Sequence, residues 1–218
     1  KDPFALRRAS LGVLRILVEK NINIDLGQLI DWGIESVWET TPKAETKATL
    51  TEYMLDRFSA WYKDQGIATE VFQAVRALGI TNALDINNRV QAVYLFSSMN
   101  EAQALASANK RVSNILAKNG GESVSAEINS ALLTEEAEKT LAQQVAAKQT
   151  EVKPLLADAK YKEALASLAD LRAAVDAFFD NVMVMADDEA VKNNRLALLK
   201  QLQGLFIAIA DISLLQQN

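Results

Sequence analysis

Most enzymatic chemistry near neutral pH relies on histidine, a thiolate, a bound metal or a poised carboxylate, and the first two are missing from this chain. Its 218 residues include no histidine and no cysteine. That removes the imidazole base, the usual proton shuttle, thiolate metal sites and any disulfide framework. Ser10, Ser97 and Ser98 have no histidine to accept a proton, which excludes acyl transfer of the common kind. Two acidic groups, Glu135-Glu136-Glu138 and Asp187-Asp188-Glu189, could be read as hard-metal ligands. Each also sits where a helix is expected to begin, and carboxylates belong there for the sake of the helix dipole. Gly120-Gly121 lacks the longer glycine pattern and the Lys-Ser or Lys-Thr of a phosphate loop. The sequence therefore offers no catalytic or metal-ligating constellation.

Binding chemistry is better represented. Lys110 and Arg111 are followed by Asn114, a spacing that puts all three on neighbouring outward faces of a helix while Val112, Ile115 and Leu116 turn inward. Guanidinium groups fork to phosphate oxygens, and an asparagine amide can read a base edge. Arg89 on a neighbouring stretch, Arg57 opposite an apolar face, and Arg195 beside Asn193-Asn194 extend the set of candidates. Trp61, Tyr62, Tyr94 and Phe96 are the aromatics on which bases could stack. Trp61 fits a core stripe, whereas Tyr62 is expected at the edge of that stripe. The overall balance of 23 basic and 28 acidic side chains, net −5, opposes general coating of nucleic acid and leaves room only for a local basic face.

The elements that would position these residues read as helices throughout. Pro3 suits a first helical turn with Asp2 as cap. Apolar residues recur at helical spacing to Val18, and again from Asp25 to Val37. Glu39-Thr40-Thr41-Pro42-Lys43 is polar and holds a breaker, and is expected to be a domain boundary or a mobile loop. From Ala44 to Gln65, Leu50, Met54, Phe58 and Trp61 mark an inner face, closed by Gly66. Further helices are expected near 69–78, 82–96 and 100–118, with Asn119-Gly120-Gly121 as a stop. Beyond it, Thr134 should cap a helix that Pro154 bends or ends near Lys153. Another runs from Tyr161 to Phe179. Asp187 should cap a last one reaching about Ile212. Val182 to Met185 is an apolar connector and the one weak strand candidate. The expectation is an all-α chain, a bundle of about seven to nine helices. No apolar run reaches membrane-spanning length, and the lack of cysteine fits a reducing cytoplasm. The start at Lys1-Asp2-Pro3, without methionine, is expected of a piece of a longer protein.

Several stretches carry a family resemblance. Lys1-Asp2-Pro3-Phe4-Ala5-Leu6-Arg7-Arg8-Ala9 at the start resembles the β subunit of bacterial glycyl-tRNA synthetase. So do Lys110-Arg111-Val112-Ser113-Asn114-Ile115, Phe178-Phe179-Asp180-Asn181-Val182-Met183-Val184-Met185, Asn194-Arg195-Leu196-Ala197-Leu198-Leu199 and Ala210-Asp211-Ile212. The resemblance runs the whole length of the chain and points to the C-terminal region of that subunit.

That resemblance implies a cytoplasmic assembly of two α and two β subunits that joins glycine to its tRNA. ATP and Mg²⁺ would act at the partner α subunit, with no cofactor in this chain. Residues 41–218 would form the helical anticodon-binding domain shared with arginyl-tRNA synthetase, and residues 1–40 would join it to an upstream HD-type domain. That domain type is named for metal-binding histidines and aspartates, so this histidine-free chain holds no intact site of that kind. The implied ligand is the anticodon arm of glycine tRNA, whose second and third anticodon bases are C, with Arg57, Tyr62, Arg89, Lys110, Arg111, Asn114 and Arg195 as candidate contacts. A rival reading makes the chain a helical platform for subunit assembly with little direct RNA contact. Where the basic residues lie in the fold bears on that choice.

Overall fold

The structure is a computed structural model that describes residues 3–37 and 44–216. The expected cap at Asp2 and the boundary stretch Glu39–Lys43, including a division at residue 40, lie outside the described residues. The described residues are helical, with no strand and a single isolated bridge between Asp25 and Asn82. They form ten α-helices, one more than the upper end of the expected range. The chain divides into two compact units, Lys1–Gln91 and Ala92–Asn218.

The first unit holds α1 (Leu6–Glu19), α2 (Leu26–Val37), α3 (Ala44–Asp64), α4 (Thr69–Arg76) and the opening of α5 (Ala83–Ser97). α1, α2 and α4 all pack on α3. The inner face of α3 centres on Leu55, Phe58 and Tyr62 rather than on the expected Leu50–Trp61 line. Leu55 and Phe58 are fully buried, and Leu50 is 40% exposed. Three rings stack along this face, Phe58 with Tyr62 at 5.3 Å and with Trp61 at 5.6 Å. Burying a Phe or Leu side chain of this kind is worth about 1.5–3 kcal/mol, so the stripe contributes substantially to the stability of the unit. Gly66 takes a φ of +77°, which lets the chain reverse as the Ile67 amide bonds back to the Tyr62 carbonyl at 3.0 Å. Asp25 caps α2, its Oδ1 accepting from the Gly27 amide at 2.8 Å and the Gln28 amide at 3.3 Å. Its Oδ2 accepts from the Thr81 hydroxyl, which ties the start of α2 to the approach of α5.

The second unit holds the rest of α5, α6 (Ala102–Lys118), α7 (Glu136–Ala157), α8 (Tyr161–Ala169), α9 (Arg172–Asn181) and α10 (Glu189–Ile207). α6 packs on α9 and α10, and α7 packs on α8, α9 and α10. Leu105, Val112, Leu141, Val175, Phe178 and Phe206 are among its buried side chains.

Several boundaries differ from the expected ones. The helix read from Tyr161 to Phe179 breaks at Asp170-Leu171, where the amides bond three residues back instead of four. Apolar spacing runs unbroken through Leu168, Leu171 and Val175, so nothing in the pattern marks the turn. α7 passes through Pro154 and ends a turn later at Ala157, because a proline near the C-terminus removes one amide without unseating the rest. The cap of α10 is Asp188 rather than Asp187, with Oδ1 accepting from the Ala190 and Val191 amides at 2.8 and 3.0 Å. α10 stops at Ile207, and a short 3-10 turn at Ile212–Leu215 packs against α6.

Between α6 and α7, residues 120–135 run as a strap with no α-helix of their own. Gly120, at φ +98°, starts it. α10 then holds its backbone with side chains. Asn194 accepts from the Asn129 amide at 2.7 Å and donates to the Asn129 carbonyl at 3.1 Å. Lys200 donates to the Val124 carbonyl and Gln201 to that of Ala126.

Candidate nucleic-acid interface

α6 has the composition that an electrostatic contact surface needs. Between Ala102 and Lys118 it carries Lys110, Arg111 and Lys118 and no carboxylate, in a chain with more acidic than basic side chains. Leu105, Val112 and Leu116 turn into the core, which sends Lys110, Arg111 and Asn114 outward, all three exposed as the spacing predicts. Lys118, four residues past Asn114, continues the row and is also exposed. At about 1.5 Å per residue the row from Lys110 to Lys118 is about 12 Å long, enough to meet more than one phosphate of a nucleic-acid strand. Among the described residues, Lys110, Asn114 and Lys118 have no side-chain partner.

Arg111 is held in place without losing its donors. Its Cζ lies 4.3 Å from the ring centroid of Phe179 on α9. A guanidinium held over a ring in this way keeps its in-plane N–H groups available for a phosphate or a base edge. Phe179 is itself braced edge-on by buried Phe178 at 5.5 Å. Sequence reasoning missed Lys118 and Phe179. The helical phase of Asn114 marks Lys118. Phe179 carries a weaker signal, a second aromatic directly after the core Phe178 and off the core phase.

The other candidates fare differently, and two are corrections. Tyr62 is buried, 1% exposed, with Phe58 and Trp61 stacked beside it and its hydroxyl donating to Asn87 Oδ1 at 3.2 Å. Burial pushes its phenol well above the ordinary value. No face remains for a base, because the α3 stripe is rotated so that Tyr62 sits at its centre. Arg195 is 5% exposed. Its Nε donates to Glu138 Oε1 at 3.2 Å, one terminal nitrogen to the Met183 carbonyl at 2.8 Å and the other to Thr134 Oγ1 at 3.1 Å. Glu138, fully buried, also accepts from the Thr134 and Glu135 amides at 3.0 and 3.3 Å, so the pair sits in a satisfied network. Arg195 therefore clamps the start of α7 to the loop after α9 and is not presented to a ligand.

In the first unit, Arg57 folds back on its own helix. Its Nε donates to the Tyr53 carbonyl at 3.2 Å, and its Cζ lies 4.8 Å from the Tyr53 ring. Arg89 pairs with Asp85 at 2.9 Å and its side chain is only 13% exposed. The exposed, uncommitted cations among the expected residues are thus the ones on α6. No group of three or more metal-binding side chains occurs among the described residues.

Comparison with known proteins places this geometry. The family model described as glycyl-tRNA synthetase beta subunit matches residues 1–77, and that of the DALR anticodon binding domain matches residues 105–212, which include the whole α6 row. The chain is 54% identical to the glycine–tRNA ligase beta subunit of Marinobacter nauticus over 99% of its own length and 31% of that protein. Over nearly its whole length the chain is similar to glycine–tRNA ligase β subunits. The β subunits of Pseudoalteromonas translucida and Vibrio cholerae are likewise 54% identical over 100% and 99% of this chain. The chain corresponds to the C-terminal region of these β subunits and spans about a third of their length. Arg111 and Phe179, which form the stacked pair, both fall within the anticodon-binding match.

Proposed function

We propose that this chain is the part of a glycine–tRNA ligase that binds and positions the anticodon arm of glycine tRNA and does no chemistry itself. The observation that carries the reading is the acid-free row Lys110, Arg111, Asn114 and Lys118, exposed on one side of α6 within the segment that matches an anticodon-binding domain. The lysines would neutralise backbone phosphates, and Arg111, steadied by Phe179, would place a guanidinium edge against phosphate or base. Arg57 would contribute only by leaving Tyr53, and Arg89 only by leaving Asp85. The β-subunit names of the relatives support a partner subunit; in this reading that partner is an α subunit at which ATP and Mg²⁺ act, and the enzyme is cytoplasmic. No helix among the described residues is long and apolar enough to cross a membrane.

The test is binding of this chain to a glycine tRNA anticodon stem-loop, and to one with its two anticodon C bases changed, at low and moderate salt. Preference for the native loop places base readout here. Equal, salt-labile binding places only backbone contact here. Absence of binding at low salt overturns the reading and leaves the chain as a platform for subunit assembly.

A further inference from the structure

A cleft of about 610 Å³ opens in the second unit between the C-terminal halves of α7 and α10. Val152, Leu156 and Ile207 give it an apolar floor. Lys153 and Lys200 are its charged lining groups, and no carboxylate is among them, although the chain as a whole is acidic. Lys200 is anchored on the strap at Val124, whereas Lys153 is exposed and engaged by no partner among the described residues. An apolar slot with a cationic rim suits a ligand that is flat and apolar in one part and anionic in another.

Gly204 adds an independent observation. It lies inside α10 and lines the cleft, and a Cβ built on it meets nothing within 4 Å. Glycine inside a helix costs about 1 kcal/mol relative to alanine. Neither a positive φ nor a close neighbour requires it here. Gly12 and Gly33 are equally open, but at Gly204 the open space belongs to the cleft, and the missing side chain leaves the backbone accessible there.

The cleft also adjoins the α6 row. Gln203, one of its lining residues, donates to Ser113 Oγ on α6 at 2.7 Å. At about 100° per residue, Ser113 lies about 60° round α6 from Lys110, so the cleft flanks the Lys110 end of the row.

We propose that the cleft receives one unpaired ribonucleotide of the RNA bound along α6, its base against Val152, Leu156 and Ile207 over Gly204 and its phosphate on Lys153. This rests on the reading of α6 as an RNA-binding face, but it is tested separately. Methyl NMR of the 218-residue chain is recorded during titration with single-stranded cytidine and uridine trinucleotides, in parallel with stem-loop binding. The expected result is movement of the Val152, Leu156 and Ile207 methyl signals. Gly204→Leu, which fills the slot, should weaken trinucleotide binding about tenfold, the size of one lost base contact, with the helical circular dichroism signal retained. Lys153→Gln should lower the salt slope of binding by about one phosphate contact. If Gly204→Leu loses its fold, Ile207→Glu makes the same test by placing a carboxylate at an exposed position of the cleft. Unmoved methyl signals overturn the proposal. If the stem-loop binds and the filled-slot variant binds it as tightly as the parent, the cleft proposal fails while the α6 reading stands. If the trinucleotides move the methyl signals but the stem-loop does not bind, the α6 reading fails and the proposal falls with it, leaving a nucleotide-sized cleft with no RNA row beside it.

Discussion

Arg111 and Arg195 look alike in the sequence, each a lone arginine among apolar residues with asparagine close by, yet the structure uses them in opposite ways. Arg111 stands on the outer side of α6 with a ring beneath it and open space in front. Arg195 faces inward from α10, and all three of its side-chain nitrogens are engaged by Glu138, Thr134 and the Met183 carbonyl. Two things separate them. One is helical phase, which local sequence reveals. The other is a buried carboxylate 57 residues away, which it does not. A cation becomes a contact residue or a structural clamp according to what the fold places opposite it.

The sharpest way to break this comparison is to remove the buried cation. Arg195→Ala leaves Glu138 charged and unpaired in the core and should cost about 3–5 kcal/mol in denaturant unfolding. Replacing both partners with apolar residues of similar size should recover much of that loss. If Arg195→Ala unfolds like the parent but binds RNA poorly, the two arginines have been assigned the wrong way round. Arg111→Ala should do the reverse. It should weaken stem-loop binding by about tenfold, within the 1–3 kcal/mol range of a specific contact, while unfolding shifts by no more than about 0.5–1 kcal/mol from the lost ring contact. Tyr62→Phe sharpens the same contrast among the aromatics. It removes only the bond to Asn87, about 1 kcal/mol of stability, and should leave RNA affinity unchanged.

The smallest expected effect concerns pH in the first unit. The Thr81 hydroxyl, followed by the Gln28 and Gly27 amides, holds the Asp25 carboxyl below its ordinary value despite partial burial. A carboxylate whose folded pKa is depressed adds stability that is fully present above its unfolded pKa and is lost as pH falls through the folded one. Unfolding measured between neutral pH and the acid range should therefore show a stabilising contribution that Asp25→Asn removes, flattening the profile on the acid side.

The sequence makes the α6 surface legible because a single helix carries both the core phase and the outward cations, so Lys110, Arg111 and Asn114 could be placed from spacing alone. Tyr62 shows the limit of that method. The stripe of α3 is wide, with Leu55 and Tyr62 as apolar as Leu50 and Trp61, and periodicity alone does not say which line faces the core. The break at Asp170-Leu171 went unseen because no glycine or proline marks it and the buried spacing continues across it. Arg195 was misplaced because Glu138 lies on another helix, and a carboxylate at the start of α7 is equally well explained by the helix dipole. All-helical character was readable from local pattern. Long-range pairings, which decide what each side chain does, were not.

The strap between α6 and α7 also has a consequence for the order of synthesis. Its backbone at Val124 and Ala126 is held by Lys200 and Gln201, 76 and 75 residues further along the chain. At translation speeds of about 5–20 residues per second, those carbonyls wait about 4–15 s for the side chains that hold them. Until then α6 and α7 can form and pair with what is already made, but the segment linking them has nothing to lie against. The second unit is thus sealed from its C-terminal side, and a pause in translation before α10 would leave the strap loose and open to proteolytic cleavage.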